Sequence, residues 1–229
     1  MPGSGRFERV TNDVFLVGGA DLSDSRDCLV YLVDVGDLVL VDCGCGPGWR
    51  SIRENIAAAG RDPKNIHTLV LTHGHIDHTG AASKVVAETK CRVVAHAADA
   101  DVIESGDPVR SAADWYGVRV EPVQVNHRVA GDEETLTFSR GSLRLLHTPG
   151  HTPGSLVAVL DTPKKRVLFG QDIHGPFVAQ FGSDVPTWRR SMQKVLDIKA
   201  DILCEGHFGV IRGKREVRRF VEGHLAANR

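Results

Sequence analysis

The 229-residue sequence is poor in the features that mark several protein classes. No apolar run approaches the roughly 18 residues of a membrane span, so no membrane association is expected. The opening stretch, MPGSGRFERV, lacks the charged-then-apolar pattern of an export signal, and a cytoplasmic location is expected. Positive charge is not in excess. The formal net charge is −1, whereas a nucleic-acid binder usually carries a strongly basic stripe, so no nucleic-acid partner is expected. Cysteine is scarce and odd in number: Cys28, Cys43, Cys45, Cys91 and Cys204 are not spaced as a disulfide framework. Cys28, Cys91 and Cys204 sit in or beside apolar runs, where a free thiol behaves as a small hydrophobe. Cys43 and Cys45, in DCGCGPG, have no second pair to complete a thiolate metal site and read as a glycine-rich turn. Linkers and low-complexity segments are also missing. With 25% charged and 41% hydrophobic residues, the balance is that of an ordinary globular protein, and one domain over residues 1–229 is expected.

What is present is a dense alternation of short apolar runs and turns. VTNDVFLVGG, CLVYLVDV and DLVLVDCG are rich in Val and Leu and bounded by glycine, as strands are. Val35, Gly36 and Asp37 mark a hairpin turn between the last two. Trp49, Ile52, Ile56 and Ala59 recur at helical spacing, and Gly60 and Pro63 end that helix. HTLVLTH reads as a short buried strand, HTGAASKVVAET as a helix, CRVVAH as a strand and AADADVIES as a short helix. Residues 105–118 have loop composition and hold Trp115 and Tyr116, a pair suited to walling a substrate groove. Further strands are expected at 119–125, 134–138, 142–147, 155–161 and 165–169, then a helix over 186–198 and a strand in DILCEGH. A last helix carries Val217, Phe220, Val221 and Leu225 on one stripe. Its Lys214, Arg215, Arg218 and Arg219 face reads as solvated surface. The pattern predicts an α/β (α+β) protein of two β-rich halves with helices packed outside.

One stretch stands apart. LTHGHIDHTG places His73, His75, Asp77 and His78 within six positions, just past an apolar run. Residues two apart in extended chain face the same side, so His73 and His75 can address one point. Imidazole and carboxylate together suit zinc, iron or manganese. A catalytic zinc takes about three protein ligands and keeps an open position, so further ligands must come from elsewhere. LLHTPGHTPGS offers His147 and His151, VLFGQDIHG offers Asp172 and His174, and DILCEGHFG offers His207. Each lies where an apolar run meets a glycine.

VDCG, THGHIDHTG, HTPGHTPGS, FGQD and EGHFG, in that order over nearly the whole chain, resemble the metallo-β-lactamase-fold superfamily. The resemblance implies a four-layer αβ/βα sandwich with two divalent metal ions, most simply Zn2+, with iron or manganese as alternatives, in a groove at one edge. It assigns His73, His75 and His151 to one ion, Asp77, His78 and His207 to the other, and Asp172 to both. Asp77 and Asp172 then also serve the chemistry. His147 is left as a structural residue, Asp42 becomes a residue that orients a ligand, and His174 a neighbour able to touch substrate. Two such ions make a shared hydroxide available near neutral pH. The implied activity is hydrolysis of an ester-type bond (thioester, ester or lactone) in a small molecule, by a monomer or homo-oligomer. The ligand set is similar to that of glyoxalase II-type thioesterases and acyl-homoserine lactonases. Lactonases usually carry a tyrosine three residues past the shared aspartate, where this chain has Gly175. A mononuclear-iron persulfide dioxygenase and a metal-retaining ligand-binding or regulatory member are the alternatives within the resemblance.

Overall fold

Apolar residues occupy consecutive positions in most strands, a pattern that requires sheets covered on both faces. The computed structural model, which describes residues 6–228, meets this with two sheets packed face to face. The first sheet contains, in spatial order, β1 (Glu8–Arg9), β2 (Val14–Gly18), β3 (Val30–Asp34), β4 (Leu38–Val41), β5 (Ile66–Val70), β6 (Arg92–His96) and β7 (His127–Val129). The second contains β8 (Glu133–Phe138), β9 (Gly141–His147), β10 (Leu156–Asp161), β11 (Arg166–Gln171), β12 (Ile202–Glu205) and β13 (Val210–Arg212), also in chain order. The helices are α1 (Trp49–Ala58), α2 (Ile76–Thr79), α3 (Ala82–Thr89), α4 (Ala97–Ser105), α5 (Ala113–Tyr116), α6 (Val185–Ile198) and α7 (Lys214–Ala227). Among the described residues no helix is long and apolar enough to cross a membrane.

The two-residue period of a strand sorts side chains into layers. In β3, Val30 and Leu32 point to the outer core beneath α1 and α3, while Tyr31 and Val33 point to the core between the sheets. In β10, Leu156, Ala158 and Leu160 face that central core, and Val157 and Val159 face α6 and α7. Three apolar cores therefore separate four layers, helix–sheet–sheet–helix, which is the expected αβ/βα sandwich.

Three readings from the sequence are corrected. Residues 119–125 form no strand. Pro122 removes a ladder donor, and Val123 N donates to Ile103 O of α4 (3.4 Å) instead of to a neighbouring strand. The strand pairing with β6 is β7, further along. The helix read through 78–89 is broken into α2 and α3 at Gly80 and Ala81. Residues 105–118 hold the single-turn helix α5.

The break at Gly80 brings the metal-ligand-type stretch against the glycine-rich turn after β4. A Cβ on Gly80 would sit 2.3 Å from Cys45 O and 2.7 Å from Ile76 O, both backbone atoms. β4, β5 and β6 run parallel, as do β11 and β12, so the segments after β4 and β5 leave the first sheet at one end, and those after β11 and β12 leave the second sheet at one end. Gly80→Ala is expected to destabilise the protein by about 1–3 kcal/mol, since the backbone must shift. The check is a urea midpoint, with Gly131→Ala, whose added Cβ meets nothing closer than 4.0 Å, expected to be near neutral.

Candidate metal centre

After β5 the chain stays extended through Leu71, whose N–H donates to Val94 O (2.9 Å), then turns into α2. His73, His75, Asp77 and His78 are all buried there. His151 lies in the turn between β9 and β10, Asp172 just past β11, and His207 just past β12. These seven side chains converge into two quartets, each with its ligand-type atoms within 4.8 Å of one another: His73, His75, His151 and Asp172, and Asp77, His78, Asp172 and His207. Asp172 belongs to both. Its Oδ1 lies 3.1 Å from His78 Nε2 and 3.3 Å from His207 Nε2, and its Oδ2 lies 3.6 Å from His151 Nε2. Asp77 Oδ2 lies 3.3 Å from His207 Nε2 and 3.6 Å from His78 Nε2.

The partners outside the cluster determine where the imidazole protons are. His151 Nδ1 lies 3.0 Å from Pro176 O, which can only accept, so Nδ1 carries the proton and Nε2 offers a lone pair. His78 Nδ1 lies 2.8 Å from Asp42 Oδ2, which gives the same tautomer. Thr72 Oγ1 donates to Asp42 Oδ2 (2.8 Å) and so is free to accept from His73 Nδ1 at 3.2 Å. Three Nε2 lone pairs are thereby aimed inward by acceptors behind them, as in metal sites whose ligating imidazoles are oriented through their second nitrogen. His73 Nε2, His78 Nε2 and Asp172 Oδ1 are buried without a satisfactory hydrogen bond, and His75 Nδ1 faces His151 Nε2 at 3.0 Å. Buried polar atoms left this way are rare in folded proteins. Two buried carboxylates and five convergent imidazoles fit divalent cations.

The protonation pattern divides the cluster. Burial pushes His75 down to about 4 and His151 to about 3, with His73 also well below its usual value. Burial acts the same way on His207, but the Asp172 and Asp77 carboxylates beside its Nε2 outweigh it and hold the imidazole at about 10. His78 is likewise held well above its usual value against burial, by the Asp172, Asp42 and Asp77 carboxylates around it. Burial raises Asp172, yet the imidazoles of His78 and His207 beside it bring it well below the usual carboxylate range. Without a cation, the carboxylates hold protons on His78 and His207.

Around this core, Asp42 accepts from Thr72 N, Thr72 Oγ1 and His78 Nδ1. His147 is not in the cluster. Its ring stacks on His96 at 3.7 Å and its Nε2 donates to Pro153 O. His174 borders it: Nδ1 is 2.7 Å from Glu205 Oε1, and the ring centroid is 5.5 Å from that of His207. Trp115 and Tyr116 diverge. Trp115 is exposed and packs on Phe181 at 4.8 Å, and Phe181 packs edge-on to His75 at 4.6 Å. Tyr116 packs on Cys45, Ile76 and Ala113 and reaches Asp77, where burial and that carboxylate push its phenol up. Cys43 and Cys45 are buried, and burial pushes Cys45 up to about 12, so they remain thiols.

Three residues escaped the sequence reading. Asp99 accepts from Gly74 N (2.9 Å), Gly154 N (2.7 Å) and Thr152 Oγ1 (2.7 Å). Nothing in AADADVIES distinguished it. Glu205 accepts from His207 N (2.7 Å) and Phe208 N (2.9 Å) as well as His174. Its signal was an acid buried in an apolar strand, two residues before a histidine. Phe181 had no signal.

Residues 24–207 match the family model of the metallo-beta-lactamase superfamily, and all seven cluster residues fall inside that span. The chain belongs to that superfamily of metal-dependent hydrolases, whose fold implies divalent-metal binding. It is 30% identical over 224 residues to an uncharacterised Mycobacterium leprae protein, covering 86% of this chain and 94% of that one. It is 28% identical to a probable metallo-hydrolase of Bacillus subtilis, covering 77% of this chain and 78% of that one. It is also 28% identical to a beta-lactamase-like protein 2 homolog of Drosophila melanogaster, covering 89% of this chain but only 66% of that protein's length. Among solved structures, a metallo-beta-lactamase from Cronobacter sakazakii superposes with a TM-score of 0.81 at 22% identity, covering 97% of this chain and 94% of that one, a likeness of fold.

The shifts give a sign for stability without metal. An imidazole held low in the fold loses stability as pH falls below its unfolded value near 6.5, which applies to His73, His75, His96 and His151. An imidazole held high is fully stabilising below that value and loses its contribution as pH rises toward its folded value, about 10 for His207. Asp27, raised by burial to about 6, opposes the acid limb but is outnumbered. Urea midpoints of chelator-treated protein should therefore peak near pH ~6.5 and fall on both sides. A profile still rising at about pH 9 would contradict this protonation pattern.

Proposed function

We propose that the chain is a binuclear metallohydrolase that cleaves an ester-type bond, a thioester, ester or lactone, in a small molecule, with no nucleic-acid or membrane partner. The observation that carries the reading is Asp172, which offers one carboxylate oxygen to each of two otherwise separate histidine-rich quartets. His73, His75, His151 and Asp172 would hold one ion, and Asp77, His78, His207 and Asp172 the other. Imidazole with carboxylate suits Zn2+, with iron or manganese as alternatives. When bound, such a pair supplies Lewis acidity toward a carbonyl oxygen and lowers the pKa of water to about 7.

The chain's own residues then do the positioning. Asp42 keeps His78, and through Thr72 His73, in the donor orientation. Glu205 fixes the backbone at His207 and Phe208 and the ring of His174. Trp115 and Phe181 form an apolar wall beside His75, suited to excluding water from one side of a substrate. Tyr116 and Asp77 meet beside the second quartet, where a proton can be held near the reacting bond. The bond class follows from leaving-group chemistry. A thiolate or an alkoxide is a better leaving group than an amide ion, so the demand on proton delivery is smaller for a thioester, ester or lactone than for an amide.

The test is metal analysis of purified protein with a lactone, thioester and persulfide screen. Two ions per chain with ester-type turnover supports the reading, and one iron with O2 uptake on a persulfide overturns it. Asp172→Ala and His151→Ala are expected to abolish turnover and lower metal content, while His147→Ala retains a measurable share of both. Asp42→Ala should weaken metal binding about 10–100-fold, the usual effect of losing a ligand-orienting partner. Replacing Trp115 and Tyr116 together by alanine should shift KM or substrate preference across the panel. Unchanged kinetics would remove them from the substrate wall.

A further inference from the structure

The strands that lead into the metal cluster at one end gather a different set of groups at the other. β5 and β6 pair in parallel, so both start at the same end. His73, His75, Asp77 and His78 follow the last residue of β5, whereas Ile66 and Arg92 open β5 and β6. A five-residue strand is about 17 Å long, and that length separates the two ends. At the starting end lies a groove of about 610 Å³. Lys64, Asn65, Lys90 and Arg92 line it from the first half, with Asp37 from the turn between β3 and β4 and Thr137 from β8 of the second sheet.

The charge in this groove is unbalanced. Arg53 and Arg61, elsewhere on the same half, are each taken by an acid, Glu88 Oε2 at 2.6 Å and Asp34 Oδ2 at 2.7 Å. Among the described residues no carboxylate pairs with Lys64, Lys90 or Arg92. Arg92 carries the sharper mark, because its Nε is buried and has no acceptor. A charged donor left unpaired costs more than a neutral one, and such atoms are rare in folded proteins. Asp37 is the acid lining the groove, and its Oδ2 already accepts from Ser139 N (2.9 Å), so the groove is cationic.

The remaining groups decide what kind of anion fits. Ile66 and Cys91 are buried in the floor, so little apolar surface is on offer. Asn65 and Thr137 are exposed, and among the described residues their side chains make no hydrogen bond. An amide, a hydroxyl and a carboxylate recognise hydroxyl groups. A guanidinium flanked by ammonium groups recognises phosphate, the arginine fork taking two oxygens at once.

We propose that this groove, at the end of the first sheet opposite the metal cluster, is a binding site for a phosphorylated polyol such as a sugar phosphate. Arg92, Lys64 and Lys90 take the phosphate, and Asn65, Thr137 and Asp37 take hydroxyls. The site needs no metal and does not rest on the hydrolase reading. Isothermal titration of the metal-loaded protein with glucose 6-phosphate, glucose and inorganic phosphate tests it. Glucose 6-phosphate should bind at least about tenfold tighter than either part, because one molecule joins both sets of contacts. Replacing the exposed Lys64 and Lys90 together by glutamine should weaken that binding at least about tenfold, with melting temperature and metal content unchanged. Arg92→Gln should weaken it as much, and Arg92→Lys should recover only part, because lysine lacks the fork. The same variants separate this groove from phosphate held at the metal cluster: binding that survives all of them overturns the proposal. Equal affinity for glucose 6-phosphate and inorganic phosphate also overturns it, since the hydroxyl-binding side would then be unused. Vesicles containing phosphatidic acid and single-stranded RNA are the remaining arms. Capture of either through Lys64 and Lys90, with no binding of glucose 6-phosphate, would make the groove a contact for a larger polyanion and overturn the proposal.

Discussion

The carboxylate of Asp42 is the constraint on which the rest of the site depends. It sits at the end of β4 in the left-handed region, φ 59°, a conformation that costs a residue other than glycine some strain. From there it receives the backbone and hydroxyl of Thr72 and the ring of His78. One buried side chain thus joins the ends of two parallel strands to α2 and decides which imidazole nitrogens face the cluster. The strain and the burial are borne at a single position, and the donor geometry of two histidines follows from it.

The electrostatics follow from the same economy of ligands. Two buried acids, Asp77 and Asp172, share the neighbourhood of His78 and His207, while His73, His75 and His151 sit with less compensating charge and are held neutral. The two quartets are therefore unequal before any cation arrives. One presents ready lone pairs and the other must give up protons, so their affinities depend on pH in different ways.

Much of this was legible in the sequence because it is written locally. The H-x-H-x-D-H run, and single His or Asp residues at strand ends, need no tertiary information to be noticed. Val and Leu runs bounded by glycine located most strands, and the two-residue period separated the layers. What could not be read depends on contacts made at long range. Residues 119–125 alternate like a strand, yet Pro122 and the bond from Val123 to α4 take them out of the sheet. His147 and His151 occupy equivalent places in two HTPG repeats, and only the path of the turn sends one to the cluster and the other to a stack on His96. Glu205 and Asp99 act through backbone amides, which leave no mark in composition.

Asp99 has a wider consequence. It projects from α4, on the outer layer of the first half, and grips Gly74 in that half together with Thr152 and Gly154 in the other. The seam between the halves is thus latched from behind, and the loops bearing His75 and His151 are tied to one carboxylate. Disturbances in an outer helix, remote from any reacting bond, are transmitted to both sides of the cluster at once, so damage mapped to α4 can mimic damage to the chemistry itself.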